Sequence, residues 1–490
     1  MTGNWGGAEA LSMGFPLSGW PCGFINWEKS GGEHSSPHFK IREKGGGGVP
    51  IDSLGFVYLF LPASMAAYYL TSNRYKNFVL LVVSLVFYGM LFPTMLPMAL
   101  GSLLFDYLVV QLLALWEGNP AWRSLAAGAS VVKNMGMLLA LGMLARPQAL
   151  MAPAGLSVIN LTSMGYVLDV YDHEAPADSS FVRYGILCLF FGKVFVGPLV
   201  TYNQLAPQLK KIRPSLSGIA SGVVAFTIGL GKKVILADSV TALYESLRAT
   251  PLYEMTSMAA WVMVLAFAFA LYFTLSAYSD MARGLGKIFG LDLPQNFYYP
   301  YQARTVTEFF GRFNMTVSEY WKRYIRLGRP DGSHARLTAA FEALFVTALW
   351  GVWFGFSPNC LAFGLLIGAL VLVERHLTGK LLRAIPPVFS RMITFLVVIL
   401  SLVFLLGGEW SQIAAYLRMM FGLGSRPATD ETFLYLISSN YLVLLGCLFL
   451  STSSADMLGR WIKKNYPQLD DGLTVVFNIG LLVITTALLL

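Results

Sequence analysis

The sequence predicts an all-α, polytopic integral membrane protein. Of its 490 residues, 56% are apolar and only 13% are charged, which is about half the charged fraction usual in soluble proteins. Apolar stretches of ~20 residues recur along the chain, and each is long enough to cross a hydrocarbon core of ~30 Å. The basic residues lie in short segments between these stretches, as in cytoplasmic loops: SNRYKN at 72–77, QLKKIR at 208–213, KRYIRLGR at 322–329 and GRWIKK at 459–464. This placement argues against nucleic acid as the partner behind the net charge of +8.

The first fifty residues differ from everything that follows. They contain GGEHSSPHFKIREKGGGG and have neither helical periodicity nor an apolar core like that of a signal peptide. We expect residues 1–50 to be a disordered tail. The alternative is that translation starts near Val49, because EKGGGG is what a purine-rich ribosome-binding site encodes when it is read as codons. Residues 51–490 are expected to form one transmembrane domain.

The apolar stretches predict about 11–13 membrane passes at the usual span length. The candidate spans are 54–71, 77–94, 95–116, 124–145, 154–170, 181–200, 217–237, 257–279, 338–356, 359–378, 389–408, 434–452 and 473–490. The segment 154–170 is short and polar, so it is predicted to be re-entrant or buried in the bundle. Residues 280–337 contain no 20-residue apolar run, and we expect short, partly buried or interfacial helices there.

Several ionisable residues fall inside the predicted spans. They are Asp106, Lys133, Asp169, Lys193, Lys232, Lys233 and Asp280. A charge at membrane depth costs several kcal/mol, so such residues usually pair with each other or line a cavity. Asp280 also has Arg283 one helical turn further on. The four cysteines are far apart and show neither a disulfide framework nor metal-ligand spacing, so no metal site is expected.

The polar block and its surroundings resemble a known family. FTLSAYSDMARGLGKIFGLDLPQNFYYPYQARTVTEFFGRFNMTVSEYWKRYI at 273–325 is similar to the central signature of the membrane-bound O-acyltransferase superfamily. The likeness is to its bacterial branch, which includes the alginate O-acetylation membrane protein and the D-alanine transfer protein of teichoic acid synthesis. It extends over nearly all of 51–410, through LFLPASMAAYYL, GYVLDVYDHEAPAD, FVGPLVTYNQLAPQL, IGLGKKVILAD and LAFGLLIGALVLVERHL.

The resemblance implies a ring of transmembrane helices around a tunnel in a bacterial inner membrane. An acyl donor, either acyl-CoA or an acyl-carrier thioester, would enter from the cytoplasm, and no permanently bound cofactor is implied. The acceptor, an extracellular polysaccharide or another envelope component, would meet the donor at membrane depth and receive an acyl group such as acetyl. A periplasmic or extracellular SGNH-type acyltransferase is an implied partner.

The resemblance also implies the site residues. Asn314 stands where the bacterial branch has a histidine and other branches have asparagine. A carboxamide can donate a hydrogen bond to a developing oxyanion, although it cannot act as a base. Further candidates lie along the implied substrate path: Tyr299, Glu308, Arg312, Lys322, Arg323, Tyr324 and Asp280.

The family's catalytic histidines are absent from their expected positions. Depending on the register, Phe354 or Gly351 replaces the general base, and Ile367 replaces a second histidine. None of these three can titrate near neutrality, as a general base must. The histidines that remain are predicted to lie in the tail, in loops or at span ends: His34, His38, His173, His334 and His376.

Two functions therefore stay open. The first is an acyltransferase that works with Asn314 and without an orthodox base, relying on proximity. The second is a catalytically silent homologue that binds an acyl group or acts as the scaffold of a modification complex. A simple transporter is disfavoured, because the sequence shows no inverted repeat.

Overall fold

The computed structural model describes residues 50–144, 155–194, 196–211, 214–325, 335–424 and 427–490. Within these ranges all regular structure is helical, apart from a single antiparallel bridge between Phe297 and Phe313. The all-α prediction is thus confirmed. The predicted tail, with His34 and His38, and the loop that holds His334 lie outside the described residues.

The helices follow one another through short connections. The first ten are α1 Leu61–Leu70, α2 Lys76–Leu91, α3 Leu96–Leu115, α4 Pro120–Leu144, α5 Leu156–Tyr171, α6 Phe181–Leu189, α7 Tyr202–Lys210, α8 Leu216–Gly231, α9 Asp238–Arg248 and α10 Ser257–Ile288. The next ten are α11 Val306–Arg312, α12 Met315–Tyr324, α13 Ala335–Val352, α14 Pro358–Val373, α15 Gly379–Ala384, α16 Pro387–Leu402, α17 Trp410–Met420, α18 Glu431–Leu450, α19 Ser454–Asn465 and α20 Pro467–Leu489. A π-helical turn, Lys232–Ala237, joins α8 to α9.

Among the described residues, seven helical segments are long and apolar enough to cross a membrane. They are Leu96–Leu115, Leu216–Arg248, Ser257–Ile288, Pro358–Leu382, Pro387–Leu406, Glu431–Leu450 and Gly472–Leu489. Three shorter apolar helices accompany them: Phe56–Leu70, Lys76–Leu91 and Leu337–Val352. The chain is therefore a multi-pass membrane protein.

Two of the predicted spans have another structure. The stretch 154–170 becomes α5, which is almost wholly buried in the bundle, as one of the two alternatives expected. The stretch 181–200 is not a span of its own: nine-residue α6 is followed by a 3-10 turn, Phe191–Lys193, and then by irregular chain. Its apolar residues are buried against other helices rather than facing lipid.

The helix α10 forms the centre of the bundle, and α8 packs antiparallel to it. A Cβ atom added to Gly222 would lie 2.7 Å from the carbonyl oxygen of Gly284, and one added to Gly229 would lie 2.8 Å from that of Ala277. Contacts this short show that glycine allows the two backbones to touch, as in close-packed transmembrane helix pairs.

Most of the predicted intramembrane charges are paired, as expected. Asp106 accepts hydrogen bonds from Lys133 at 2.7 Å and from Asn134 at 3.0 Å. The other pairs are Lys232 with Asp280 at 2.6 Å, Lys233 with Asp238 at 2.5 Å and with Asp52 at 3.4 Å, and Arg323 with Asp169 at 2.9 Å. Lys193 differs, because its ammonium donates to the Leu187 carbonyl oxygen.

The connections gather at two opposite ends of the bundle. At one end, Asn77 donates to the Leu209 carbonyl at 2.9 Å, and the hydroxyl of Tyr68 donates to the Phe289 carbonyl at 2.8 Å. This end, called the basic face below, carries Arg74, Lys76, Lys210, Lys211 and Lys287.

At the other end, Trp261 donates to the Met420 carbonyl at 2.7 Å, and Asn359 donates to that of Gly408 at 2.9 Å. This acidic face carries Glu254, Glu409, Asp430 and Glu431.

Candidate functional site

The backbone at Asn314 is held in a left-handed conformation. Its φ is 53° and its ψ is 55°, and it immediately precedes α12. The chain on either side is fixed, because Met315 donates to the Asn296 carbonyl at 2.8 Å and Phe313 bridges to Phe297. The Asn296 side chain also accepts from the Thr316 N–H at 3.0 Å. Asparagine tolerates this conformation better than most residues, so the sequence fits the turn.

The side chain of Asn314 is buried without a hydrogen-bond partner. The residue is 1% exposed, and neither Nδ2 nor Oδ1 forms a hydrogen bond within the described part of the chain. Leaving a buried polar group unpaired costs about 1–3 kcal/mol, so such groups are rare and call for an explanation. The donor and the acceptor of this carboxamide are thus both unused within the described part of the chain, and Asn314 is not among the residues that line the cavity described below.

An aromatic wall stands beside Asn314. The Phe313 ring lies 6.1 Å from the ring of Trp350 and 6.2 Å from that of Phe354, measured between centroids. Phe354 in turn packs on Phe363 at 6.0 Å. Both Phe354 and Ile367 are 0% exposed. Two of the positions predicted to replace the family's histidines are therefore filled by buried apolar side chains.

Gly351 and Phe354, the two positions predicted for the missing base, differ in the room they leave for a side chain. A Cβ atom on Gly351 would lie 2.4 Å from the carbonyl oxygen of Cys360 and 2.6 Å from the Cα of Gly364. The crossing of α13 and α14 thus leaves no room for any side chain at Gly351. Of the two positions, only Phe354 can carry a side chain in this packing.

A cavity of about 590 Å³ lies on the other side of α12. Its walls come from α5, from the loop and helix at 199–204, and from α12. Of the predicted substrate-path residues, Lys322, Arg323 and Tyr324 line it, and so does Thr316, two residues after Asn314. Since α12 has ten residues, it spans ~15 Å from Asn314 to the cavity's basic end.

The basic end of the cavity is organised by Asp169 at the end of α5. Its Oδ1 accepts hydrogen bonds from Arg323 at 2.9 Å and from the Tyr324 hydroxyl at 2.8 Å. Burial raises the pKa of Tyr324 above its usual range, and the Asp169 carboxylate adds to the rise. Burial lowers the pKa of Lys322, and Glu319 opposes part of that shift. Tyr324 is therefore a neutral hydrogen-bonding group at neutral pH.

The other four substrate-path candidates are not among the residues that line this cavity. Glu308 forms an ion pair with Arg312 and accepts from the Arg304 N–H at 2.6 Å, so it fixes the start of α11. Tyr299 has a left-handed backbone with φ 45° and lies within hydrogen-bonding reach of Asp456. Asp280 is bound to Lys232.

Sequence reasoning missed the residues that support Asn314. Asn296 and Thr316 fix its backbone, and Thr162, Gly165 and Tyr166 of α5 face the cavity. No spacing in the sequence indicates that residues 18 positions apart, Asn296 and Asn314, meet in space.

The two described histidines do not reach the site. His173 is exposed in the turn after α5, where its φ is 58°, and His376 is exposed in the π-helical turn after α14. This agrees with the prediction that they lie in a loop and at a span end. No cluster of potential metal ligands occurs among the described residues.

Comparison with known proteins places these residues within a family pattern. The model of the membrane-bound O-acyltransferase family matches residues 156–417, which include Asn314 and the walls of the cavity. Among similar proteins, a probable alginate O-acetylase of Pseudomonas aeruginosa is 30% identical over 71% of this chain and 70% of its own length. A peptidoglycan O-acetyltransferase of Helicobacter pylori is 27% identical over 75% of this chain and 79% of its own. A teichoic acid D-alanyltransferase of Bacillus subtilis is 20% identical over 45% of this chain and 58% of its own.

Proposed function

Because the chain belongs to the membrane-bound O-acyltransferase family, we propose that it transfers an acyl group, acetyl in the simplest case, to an extracellular polysaccharide or another envelope acceptor. Similar proteins are named as O-acetylases and O-acetyltransferases, which supports this class of reaction. The observation that carries the proposal is the buried, unpartnered carboxamide of Asn314 on a fixed backbone.

Asn314 has the chemistry of an oxyanion donor. When an acceptor hydroxyl attacks the carbonyl carbon of an acyl thioester, negative charge develops on the carbonyl oxygen. The Nδ2–H of Asn314 would donate to that oxygen, and because its backbone is already fixed it would need little reorganisation during the reaction. The new C–O bond replaces the C–S bond, and the proton of the acceptor hydroxyl ends on the released thiol.

The donor would enter through the cavity at the basic face. An acyl-CoA or an acyl-carrier thioester bears phosphate groups, and Lys322 and Arg323 offer positive charge for them at the cavity wall. The ~15 Å length of α12 separates these charges from Asn314, so phosphate binding and acyl transfer would occur at opposite ends of one helix. We assign the basic face to the cytoplasm of a bacterial cell and the protein to its inner membrane.

The reaction would proceed without an orthodox general base. The positions predicted for the family's histidines carry Phe354 and Ile367, which cannot titrate. A general base contributes about 10²–10⁴-fold, whereas orientation of the two substrates can supply several kcal/mol by itself. We therefore expect a slow enzyme whose rate depends strongly on how its substrates are held.

A second candidate function is favoured by the same aromatic wall. Phe354 and Ile367 are fully buried, so apolar packing would take the place of a titrating group at both predicted positions. The protein would then bind an acyl donor without turning it over and would act as a scaffold for an SGNH-type acyltransferase outside the membrane.

The two functions are separated by one assay. Purified protein is incubated with radiolabelled acetyl-CoA and with alginate or peptidoglycan fragments. Asn314→Ala is compared with Asn465→Ala, a control at an exposed asparagine on α19. Transfer that falls about 10²–10³-fold in Asn314→Ala alone supports catalysis. Donor binding without transfer in the unmodified protein supports the scaffold, and the absence of both contradicts both functions.

A further inference from the structure

A charged stripe remains accessible on the otherwise buried end of α10. Within residues 279–288, only Asp280, Arg283 and Lys287 are partly exposed, and the rest are buried. Their spacing of three and four residues places them on one side of the helix. The stripe ends at the basic face, where α10 ends.

The charges along this stripe are not balanced. Asp280 is bound to Lys232 at 2.6 Å. The nearest guanidinium nitrogen of Arg283 lies 3.8 Å from the Asp280 carboxylate, which is beyond hydrogen-bonding distance, and its Nε is buried without a partner. For Lys287 the described residues provide no ion pair. Asp280 thus serves Lys232 closely and Arg283 at longer range, so the described part of this stripe carries more positive than negative charge.

The stripe runs beside α8, which touches α10 through Gly222 and Gly284. Lys232, at the end of α8, lies 2.6 Å from the Asp280 carboxylate of the stripe. The stripe and this side of α8 are together called the groove below.

The α8 side of the groove is apolar. Ala225 and Ile228 precede Lys232 at helical spacing on the same side of α8, and both are partly exposed. Arg283 lies five residues before the end of α10, which is ~7.5 Å along the axis. A residue this near the end of a membrane-spanning helix can reach the polar headgroups of one leaflet.

We propose that the phosphate of an anionic glycerophospholipid binds between Arg283 and Lys287, with its acyl chains along Ala225 and Ile228. The guanidinium can bind two phosphate oxygens through parallel hydrogen bonds, and the ammonium adds a point charge. The lipid supplies both an anion for the excess positive charge and apolar chains for the exposed side of α8. A free phosphate compound would supply only the first. The site does not depend on the acyl transfer proposed above.

The test compares lipid binding to matched basic pairs. The double variant Arg283→Gln/Lys287→Gln is measured beside Lys210→Gln/Lys211→Gln, which removes two exposed cations from the same face. Binding of dioleoyl phosphatidylglycerol and of dioleoyl phosphatidylcholine to the detergent-solubilised protein is followed by native mass spectrometry. We expect the groove variant to bind phosphatidylglycerol about thirtyfold more weakly, as for the loss of two basic contacts. The control variant and phosphatidylcholine binding should be little changed.

Other results overturn the proposal. Equal weakening in both double variants would indicate a general attraction to the basic face, and unchanged binding in the groove variant would exclude the site. Displacement of the lipid by inorganic phosphate would assign the groove to a soluble phosphate compound. The charge-preserving variant Arg283→Lys/Lys287→Arg guards against misfolding, since it should keep most of the affinity and the same unfolding temperature.

Discussion

At Asn314 the neighbours hold the backbone and leave the side chain free. Asn296 provides both a backbone and a side-chain acceptor to the residues after Asn314, while the carboxamide itself has no partner among the described residues. A residue selected for stability alone would not combine a left-handed backbone with two unpaired buried atoms, because each feature costs about 1–3 kcal/mol. Such local costs are typical of positions that serve a substrate.

The substitution Asn314→Gly tests this interpretation. Glycine adopts φ near +53° without steric cost, and the variant removes both unpaired polar atoms. We expect an unfolding temperature no lower than that of the unmodified protein, measured in detergent, together with a loss of acyl transfer of about 10²–10³-fold. Asn296→Ala is the control, since it removes an acceptor in use and should lower stability by about 1–3 kcal/mol. An Asn314→Gly protein with full activity would exclude Asn314 from catalysis.

Asp178 links the loop after α5 to the helices that form one wall of the cavity. Its carboxylate accepts from Arg183 Nε at 2.7 Å, from the Tyr202 hydroxyl at 2.7 Å and from the Ser180 N–H at 2.9 Å. Burial opposes the charged form of Asp178, but the hydrogen bonds from Arg183, Ser180 and Tyr202 outweigh it and lower the pKa.

This lowered pKa predicts the pH dependence of Asp178→Asn. A carboxyl group whose pKa is lower in the folded state stabilises the fold above its unfolded pKa, which is about 3.9. That stabilisation disappears as the pH falls through the folded value. The variant should therefore unfold at a lower temperature than the unmodified protein at pH 7, and the difference should shrink as the pH falls from about 5 toward 3. A difference that stays constant over this range would show that the charge of Asp178 is not what stabilises the loop.

At the scale of elements, the crossing of α13 and α14 shapes the wall beside Asn314. Glycines at the crossing bring the two backbones into contact. Near this crossing, Trp350 and Phe354 pack against Phe313. The resemblance alone left the predicted position of the missing base open between Gly351 and Phe354. The packing of this helix pair adds that Gly351 has no room for a side chain, which the sequence could not show because the space around a residue depends on the partner helix.

Gly351→Ala is expected to disrupt this crossing. Its Cβ would lie 2.4 Å from the Cys360 carbonyl oxygen, so one backbone must move, at a cost of about 1–3 kcal/mol or more. Gly101→Ala on α3 is the matched control, because nothing lies within 4 Å of its added Cβ. That variant should gain about 0.5–1 kcal/mol of helix stability. Thermal unfolding in detergent compares the two, and equal stability of both variants would contradict the close crossing.

The segment 181–200 shows a limit of hydropathy as a guide to elements. Its length and apolar content predicted a span, yet it forms the short α6 and buried irregular chain. An apolar side chain can be buried against lipid or against other protein segments. Hydropathy alone therefore cannot distinguish a membrane-crossing helix from an apolar loop buried inside the protein. The same segment contains two glycines and a proline, in GKVFVGP, and these residues commonly interrupt a helix.

For the whole molecule, composition and resemblance predicted the fold class and brought Asn314 to attention. They could not predict that its carboxamide is unpartnered, since this depends on contacts between α12, the turn at Asn296 and the aromatic wall. The pairing of the intramembrane charges was predictable only in part. Their pairing was expected from the cost of burial, but the identity of partners such as Asp52 for Lys233 required the three-dimensional structure.

The whole molecule also carries an electrical asymmetry that predicts its orientation. Helix ends distant in sequence bring Lys210, Lys211 and Lys287 to one end, while Glu409 and Asp430 lie at the other. Basic residues in short loops favour the cytoplasmic side during insertion. The basic face and its cavity should therefore open to the cytoplasm, where thioester donors are made.

Single cysteines at the two faces test this orientation. Cys188, Cys360 and Cys447 are buried, so Lys211→Cys and Ser411→Cys, both at exposed positions, can be introduced in a Cys22→Ser background. In intact cells a membrane-impermeant maleimide should label Ser411→Cys, next to Glu409 on the acidic face. Lys211→Cys should react only after the membrane is permeabilised, because the basic face is turned inward. The reverse pattern would place the cavity outside the cell, where it could not receive a cytoplasmic thioester, and would rule out the proposed direction of acyl transfer.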